Sequence, residues 1–429
     1  MRALSERSRS IAPPDKMLRL HDNLMWIIWF AVLLMAESSL AAKEIGPQAN
    51  LCAEINSLEP GETLVLRPGD YRGPCRIRRG GSAGVPITIQ AQDLLDRPRI
   101  VYDGQSSNVF EINADYVTLR GLKIGPTQRG IDGIRIRARA GVTVEDCEFT
   151  ELGGIAIAAN QTSLRGLTVR RNAINNSTAT AMYFGCHDGV GCRISDLLVE
   201  RNFIRAVDAP EPEIGYGIQV KLNSSGVIRD NVIADTKGPA IMIYGSTDTT
   251  QSSIVERNFA TGSRTSSGIL IGGGPARVQN NITSFNSEGG VALQDYANRG
   301  LLRNIIVANN TSFRNSRGEF LTPPSGKLSD VLLVKNVGVA VEGQRTFPGI
   351  RSGMTLRQNI DCTHAECFAD PSAANFSPLS SSPLMTDGTL SDVDLPRDDY
   401  LGRPRGPAVK AGALEFAAPS LKLGIKLQP

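Results

Sequence analysis

One step recurs along the middle of this chain: an aliphatic residue, two residues of any kind, then asparagine. It appears at Val169–Asn172, Val199–Asn202, Ile228–Asn231, Val255–Asn258, Val278–Asn281 and Val307–Asn310, with successive asparagines 30, 29, 27, 23 and 29 residues apart. Between these steps sits an alternating apolar triplet: Ile134–Ile136, Ile155–Ile157, Met182–Phe184, Ile218–Val220, Ile241–Ile243, Ile269–Ile271 and Val291–Leu293. Alternation at period two, bounded by Gly, Asn and Ser, is the signature of short strands. A repeat in the twenties with no helical stretch inside it predicts stacked β coils rather than βαβ units. Each coil is expected to hold about three strands whose inward side chains stack on the coil below. The asparagines are expected to form a hydrogen-bonded ladder at one turn, since an amide both donates and accepts and tolerates left-handed backbone. Cys147 falls in the same register (Val144-Glu-Asp-Cys147), 25 residues before Asn172. It is therefore expected to fill a ladder slot as a buried thiol, not to act as a nucleophile.

Composition narrows the class. Among 429 residues, 41% are hydrophobic and 21% charged, enough for a core and too apolar for a disordered polyelectrolyte. The balance of 46 basic against 43 acidic residues excludes a nucleic-acid binder recognised by bulk charge, and three histidines exclude a His-rich metal enzyme. Leu24–Ala36 is a run of 13 apolar residues. It is shorter than the ~20 a spanning helix needs and suits a signal-peptide core. Small residues at 39–42 suit cleavage near Ala42, and Met17 would give a more ordinary start. The expected organisation is a signal peptide (1–42), an N-terminal cap with the first coils (43–109), the repeats (110–340) and a closing segment (341–429). No membrane span is expected after cleavage. Of seven cysteines, Cys186/Cys192 and Cys362/Cys367 bracket short loops, and Cys52 and Cys75 flank the first strands, so three disulfides are expected in an oxidising compartment.

The opening runs Pro60–Tyr71, Gly84–Ile89 and Val101–Gly104, with the closing run Asp398–Arg405 leading to Gly412–Phe416, complete a pattern. The pattern resembles the right-handed parallel β-helix superfamily of pectate lyases, alginate lyases and related carbohydrate-active proteins. The resemblance implies an all-β, right-handed parallel β-helix solenoid with a short N-terminal capping helix, for which Asn50–Leu58 can serve. It also implies a secreted or periplasmic monomer whose partner is a polysaccharide.

Outward residues of equivalent strands form columns along such a solenoid. Lys221 and Tyr244 directly follow two successive triplets, and His187 lies in the preceding coil on the Cys186–Cys192 loop. Neighbouring coils are roughly 5 Å apart, so the three are expected to converge. A lyase acting on a uronate polymer removes the proton α to the carboxylate; it needs a base, an acid for the leaving oxygen and positive charge for the enolate-like intermediate. Lys221 is the expected base, given desolvation or nearby positive charge, and Tyr244 or His187 the acid. Arg137, Gln219, Asp188, Asp295 and Arg205 are expected to bind substrate. The longest connection, with Glu211 and Glu213, is expected to wall the same side. The segment from Glu213 to Lys221, followed by Tyr244-Gly245, is similar to the active-site strands of the alginate lyase/chondroitinase B family, in which a base lysine follows an acidic stretch and an arginine lies one coil on. Here Ile243-Tyr244-Gly245 occupies the arginine's place. That resemblance implies calcium, although the acidic residues stand at a different distance from the lysine. The alternatives are a glycoside hydrolase, a uronate C5-epimerase, and a non-enzymatic glycan-binding envelope protein. For a hydrolase, paired carboxylates are wanted, and Asp188, Glu213 and Asp295 are scattered. His364, in the short Cys362–Cys367 loop, is expected to be structural.

Overall fold

A computed structural model of the chain describes residues 42–362, 367–385, 388 and 390–415. The expected signal peptide, apart from Ala42, lies outside the described residues, as do His364 and Phe416. Three parallel sheets of 14, 12 and 10 strands run the length of a right-handed solenoid from Lys43 to Asp361. One coil shows the order: Leu197–Glu200 in the first sheet, Phe203–Val207 in the second, Ile218–Val220 in the third, then Gly226–Arg229 back in the first. Each strand bonds to its equivalent one coil away, as in Ile218↔Ile241 and Val199↔Ile228. The inward residues Val199, Ile204, Ile218 and Val220 are fully buried, so the period-two pattern is the core itself.

A six-residue helix, Leu51–Asn56, closes the open end, shorter than the expected Asn50–Leu58. Asn50 caps it, its side chain accepting from the Ala53 N–H at 3.1 Å. Leu51 and Ile55 plug the first coil. The Cys52–Cys75 disulfide ties the helix to the third sheet, and Cys186–Cys192 and Cys362–Cys367 also pair.

The asparagine ladder is continuous. Each Nδ2 donates to the Oδ1 of the next asparagine at about 3 Å, through Asn172, Asn202, Asn231, Asn258, Asn281, Asn310, Asn336 and Asn359. Cys147 heads it: its backbone N–H donates to Asn172 Oδ1 at 3.0 Å, and burial pushes its thiol up to about 12. One expectation is corrected. The left-handed residue is not the asparagine but the one before it: Asp146, Arg171, Arg201, Asp230, Arg257, Asn280, Asn309, Lys335 and Gln358 have φ between 48° and 56°. The asparagine side chain has to point inward along the stack, so its neighbour makes the turn and keeps its own side chain outside.

A second correction concerns register. The strand expected at Ile155–Ile157 is Ile157–Ala159, pairing Ile134 with Ile157. The Ile155 N–H instead donates to Asp132 Oδ1 at 2.8 Å in the preceding loop, and the alanines at 158 and 159 carry no apolar alternation to read.

The described residues between 367 and 415 run back along the outside of the second sheet. Phe368, Phe376, Tyr400 and Leu414 join Val232, Phe259, Ile282, Phe313 and Val337 in a separate apolar cluster. The strap is locked by a buried Arg405–Glu415 pair at 2.6 Å and by Arg257–Asp398 at 2.8 Å. Over these coils the second sheet is covered by the strap.

Candidate active site

The centre of each triplet faces outward on the third sheet. In pairing order the column reads Arg76, Glu111, Arg135, Ala158, Tyr183, Gln219, Met242, Leu270, Ala292 and Leu321. It changes from charged to apolar along the solenoid, and Tyr183 and Gln219 sit at the change. Arg76 Nε donates to Glu111 at 2.8 Å, and Arg135 pairs with Asp132, so the charged end is internally neutralised.

Lys221 and Tyr244 lie beside this change. Both are 2% exposed. Lys221 Nζ sits 4.0 Å from the centroid of the Tyr244 ring and 5.7 Å from that of Tyr183, a two-ring cation–π arrangement. No carboxylate lies within ion-pair distance of Lys221 among the described residues. Burial, and secondarily the Arg299 cation, lower its amine to about 8. Gly185 makes the room: a Cβ there would meet Ser224 Oγ at 2.3 Å and Lys221 Cβ at 3.1 Å.

The Tyr244 hydroxyl accepts from Gln219 Nε2 at 3.1 Å and lies 3.2 Å from the Tyr216 hydroxyl. Burial raises both phenols, and pushes Tyr183 up to about 12. The Tyr244 ring meets Tyr296 edge-on with centroids 4.7 Å apart, and the Arg299 guanidinium stands 5.3 Å from the Tyr296 centroid. Lys221, Tyr244, Tyr296 and Arg299 thus form one continuous line of contacts from the sheet surface to solvent. Such a set holds a poised amine, a hydroxyl with a hydroxyl neighbour for proton exchange, and an exposed cation.

The structure brings together Lys221, Tyr244 and Gln219. His187 is exposed on its disulfide loop and makes no hydrogen bond or ion pair to either Lys221 or Tyr244 among the described residues. Asp188 is exposed and accepts from the Val190 and Gly191 N–H groups at 2.9 and 3.0 Å, which lowers its carboxyl. Asp295 is occupied with the Gly300 N–H at 3.0 Å. Arg137 stands three coils before Lys221, roughly 14 Å at the usual strand spacing; its Nη1 is 3.9 Å from Glu111. Arg205 is on the second sheet, registered with Asn175 and Ala234, and does not share the face of Lys221. Glu211 and the Glu213 carbonyl engage Lys237 at 2.8 and 2.6 Å instead of lining the Lys221 side.

Tyr183, Tyr216, Tyr296 and Arg299 were missed by sequence reasoning. Tyr183 was legible as the centre of a triplet, the outward position. Tyr296 and Arg299 sit on an extended loop after Val291–Leu293, whose fold back over the face no periodicity records.

Calcium takes six to eight oxygen ligands. Asp188 and Asp295 each serve backbone N–H groups of their own loops, and no group of three or more His, Cys, Asp or Glu converges anywhere among the described residues. The residues around Lys221 therefore do not fit a calcium site. No helix among the described residues is long and apolar enough to cross a membrane.

Comparison with known proteins agrees with this architecture. A family model described as right handed beta helix region matches residues 188–359. No curated protein sequence matches. Among solved structures, XylC in complex with xylose is similar with a TM-score of 0.59 at 11% identity, over 87% of this chain and 98% of that one. The A-module of the mannuronan C-5 epimerase AlgE6 from Azotobacter vinelandii is similar with a TM-score of 0.51 at 13% identity, over 74% of this chain and 94% of that one. The AlgE4 A-module gives 0.50 at 13% identity, over 73% and 89%. At such identities the likeness is one of fold, and the chain is a right-handed parallel β-helix distantly similar to the solenoids of carbohydrate-active proteins.

Proposed function

We propose that this is an exported carbohydrate-active enzyme that removes the C5 proton of a uronate residue in an acidic polysaccharide and completes a β-elimination. The observation that carries the reading is Lys221: a buried amine with no carboxylate partner among the described residues, lowered to about 8, and packed on the ring of a tyrosine whose hydroxyl has its own hydroxyl neighbour. A base tuned near the working pH combines a useful neutral fraction with enough basicity for proton transfer. In the reaction the neutral Lys221 amine takes the C5 proton and becomes ammonium. The C5 electron pair forms the C4=C5 double bond as the C4–O4 bond breaks. The departing O4 takes a proton from the Tyr244 hydroxyl, which recovers it from Tyr216 or solvent. Gln219 fixes the phenol through its N–H.

The three disulfides support an oxidising compartment, and the apolar run at 24–36 supports export. A C5-epimerase is the second reading. It shares the proton abstraction and returns a proton to the opposite face, and a site of an amine and tyrosine hydroxyls favours it over a hydrolase, which would want paired carboxylates. The test is incubation of the mature protein with alginate, polygalacturonate and chondroitin in deuterated water. Unsaturated uronate supports the lyase, deuterium at C5 without cleavage supports the epimerase, and neither signal from any of them counts against both.

A further inference from the structure

We propose that Arg299, carried over the site on the Asp295–Leu301 loop, is the group that recognises the substrate carboxylate and selects a uronate over a neutral sugar without a bound cation. The inference rests on the reading of Lys221 above and adds the specificity-determining residue to it.

The loop is built to hold this position. Ala297, Asn298 and Gly300 take left-handed φ of 58°, 52° and 65°, turning the chain tightly. The Asp295 carboxylate accepts from the Gly300 N–H at 3.0 Å and clips the turn shut. Its entry is fixed by Gln294 N–H donating to Ile271 carbonyl at 2.9 Å, and its exit by Leu301, 5% exposed against Met242 and Tyr244. Between these anchors the loop presents two side chains: Tyr296, edge-on to Tyr244, and Arg299, exposed and stacked on Tyr296. Among the described residues no carboxylate pairs with Arg299, and its guanidinium rests on the Tyr296 ring. A guanidinium parked on an aromatic face keeps its in-plane N–H donors free, and that fork matches a carboxylate in two bonds.

After burial, the Arg299 cation also lowers the Lys221 amine. The other groups facing Lys221 are the rings of Tyr183 and Tyr244, with Tyr216 and Tyr296 behind them on Tyr244 and Asp188 acting on Tyr183 from the disulfide loop. A carboxylate bound at Arg299 would lie along the same line of contacts as the base, beyond the Tyr244 and Tyr296 rings. The donors that calcium would need do not converge here among the described residues. Lys221 and Tyr244 are nearly sealed, and Tyr296 packs edge-on against the Tyr244 ring.

The experiment measures binding and turnover of mannuronate and galacturonate tetrasaccharides against xylotetraose, for the wild type, Arg299→Ala, Arg299→Lys and Lys221→Ala, each with and without a chelator. The expected result is uronate binding that survives Lys221→Ala and chelation. Arg299→Ala is expected to weaken that binding, and to raise KM, roughly 10–100-fold, the usual effect of losing a charged two-point contact. Arg299→Lys keeps the charge and recovers part of the loss. Removing the cation also lets the Lys221 amine rise, so the acid limb of kcat/KM in Arg299→Ala moves to higher pH, a shift that a merely structural loop residue would not cause. Arg299 is exposed, so its variants are expected to fold. Unchanged uronate affinity and an unmoved acid limb in Arg299→Ala overturn the proposal, as does binding that disappears on chelation and returns with calcium. If Lys221→Ala keeps full turnover, or no uronate binds the wild type, the functional reading itself fails.

Discussion

The Lys221 ammonium nitrogen rests 4.0 Å from the centre of the Tyr244 ring, one coil above it, with both side chains 2% exposed. A charge held by ring faces and not by a carboxylate is only partly compensated, and the first prediction follows from that. Because folding lowers the Lys221 amine from an ordinary 10.5 to about 8, the unfolded chain binds more protons between those values. The lysine's cost to stability is therefore full below about pH 8 and is relieved as pH rises towards 10.5. Lys221→Met, close in shape and uncharged, is expected to stabilise the fold at pH 7 by about 1–3 kcal/mol while abolishing activity. Denaturant melts at pH 7 and pH 10 check it: the gain should shrink at the higher pH.

Glu319 gives a second pH dependence of opposite sign. It is fully buried inside the last described strand of the third sheet, and accepts from Ser312 Oγ at 2.6 Å and from the Asn315 N–H at 3.0 Å. There it terminates a short second ladder from Ser263 through Asn286 and Asn315. Burial raises its carboxyl from 4.5 to about 7. The folded state then holds the extra proton, so stability falls as pH rises from 4.5 to 7. Glu319→Gln is expected to flatten this slope in thermal melts across that range, and an unchanged slope would count against the assignment.

In the ladder, Asn231 accepts from the Asn202 N–H and Nδ2, and donates to the Val199 carbonyl and Asn258 Oδ1. Asn231→Ala strands several of these groups in the core. A loss of roughly 3–4 kcal/mol is expected by equilibrium denaturation, since each buried unsatisfied group costs about 1–3 kcal/mol. A loss below 1 kcal/mol, or roughly that, would mean that the stack relaxes around the gap.

Cys147 should be silent as a thiol. It is buried and pushed up to about 12. Alkylating reagents are expected to label it only after denaturation. Cys147→Asn should be tolerated, because the Leu122 N–H and Leu119 carbonyl already lie at 3.5 and 3.9 Å from its sulfur, the places an amide would bond.

The coil was legible because its physics is one-dimensional. The Val-x-x-Asn steps and period-two triplets repeat one local structure, and stacking does the rest. Cys147 was readable for the same reason, by register alone. What escaped the sequence was lateral. Tyr216 and Tyr296 reach Tyr244 from different coils, and Arg299 arrives on a loop whose end is held by the Leu301 carbonyl accepting from the Gly274 N–H at 2.8 Å. His187 was placed by counting residues past a triplet, but the Cys186–Cys192 loop turns it outward to solvent. Arg205 was assigned to the face of Lys221 although its strand belongs to another sheet.

The most direct test of the central claim is C5 proton abstraction by Lys221. Alginate, polygalacturonate and chondroitin are incubated with wild type and Lys221→Ala in deuterated water, following unsaturated product and deuterium at C5 together. The account predicts one of the two signals in the wild type, rising through pH about 8, and its loss by roughly 100-fold or more in Lys221→Ala with substrate binding retained. Equal signals from the two proteins would contradict it.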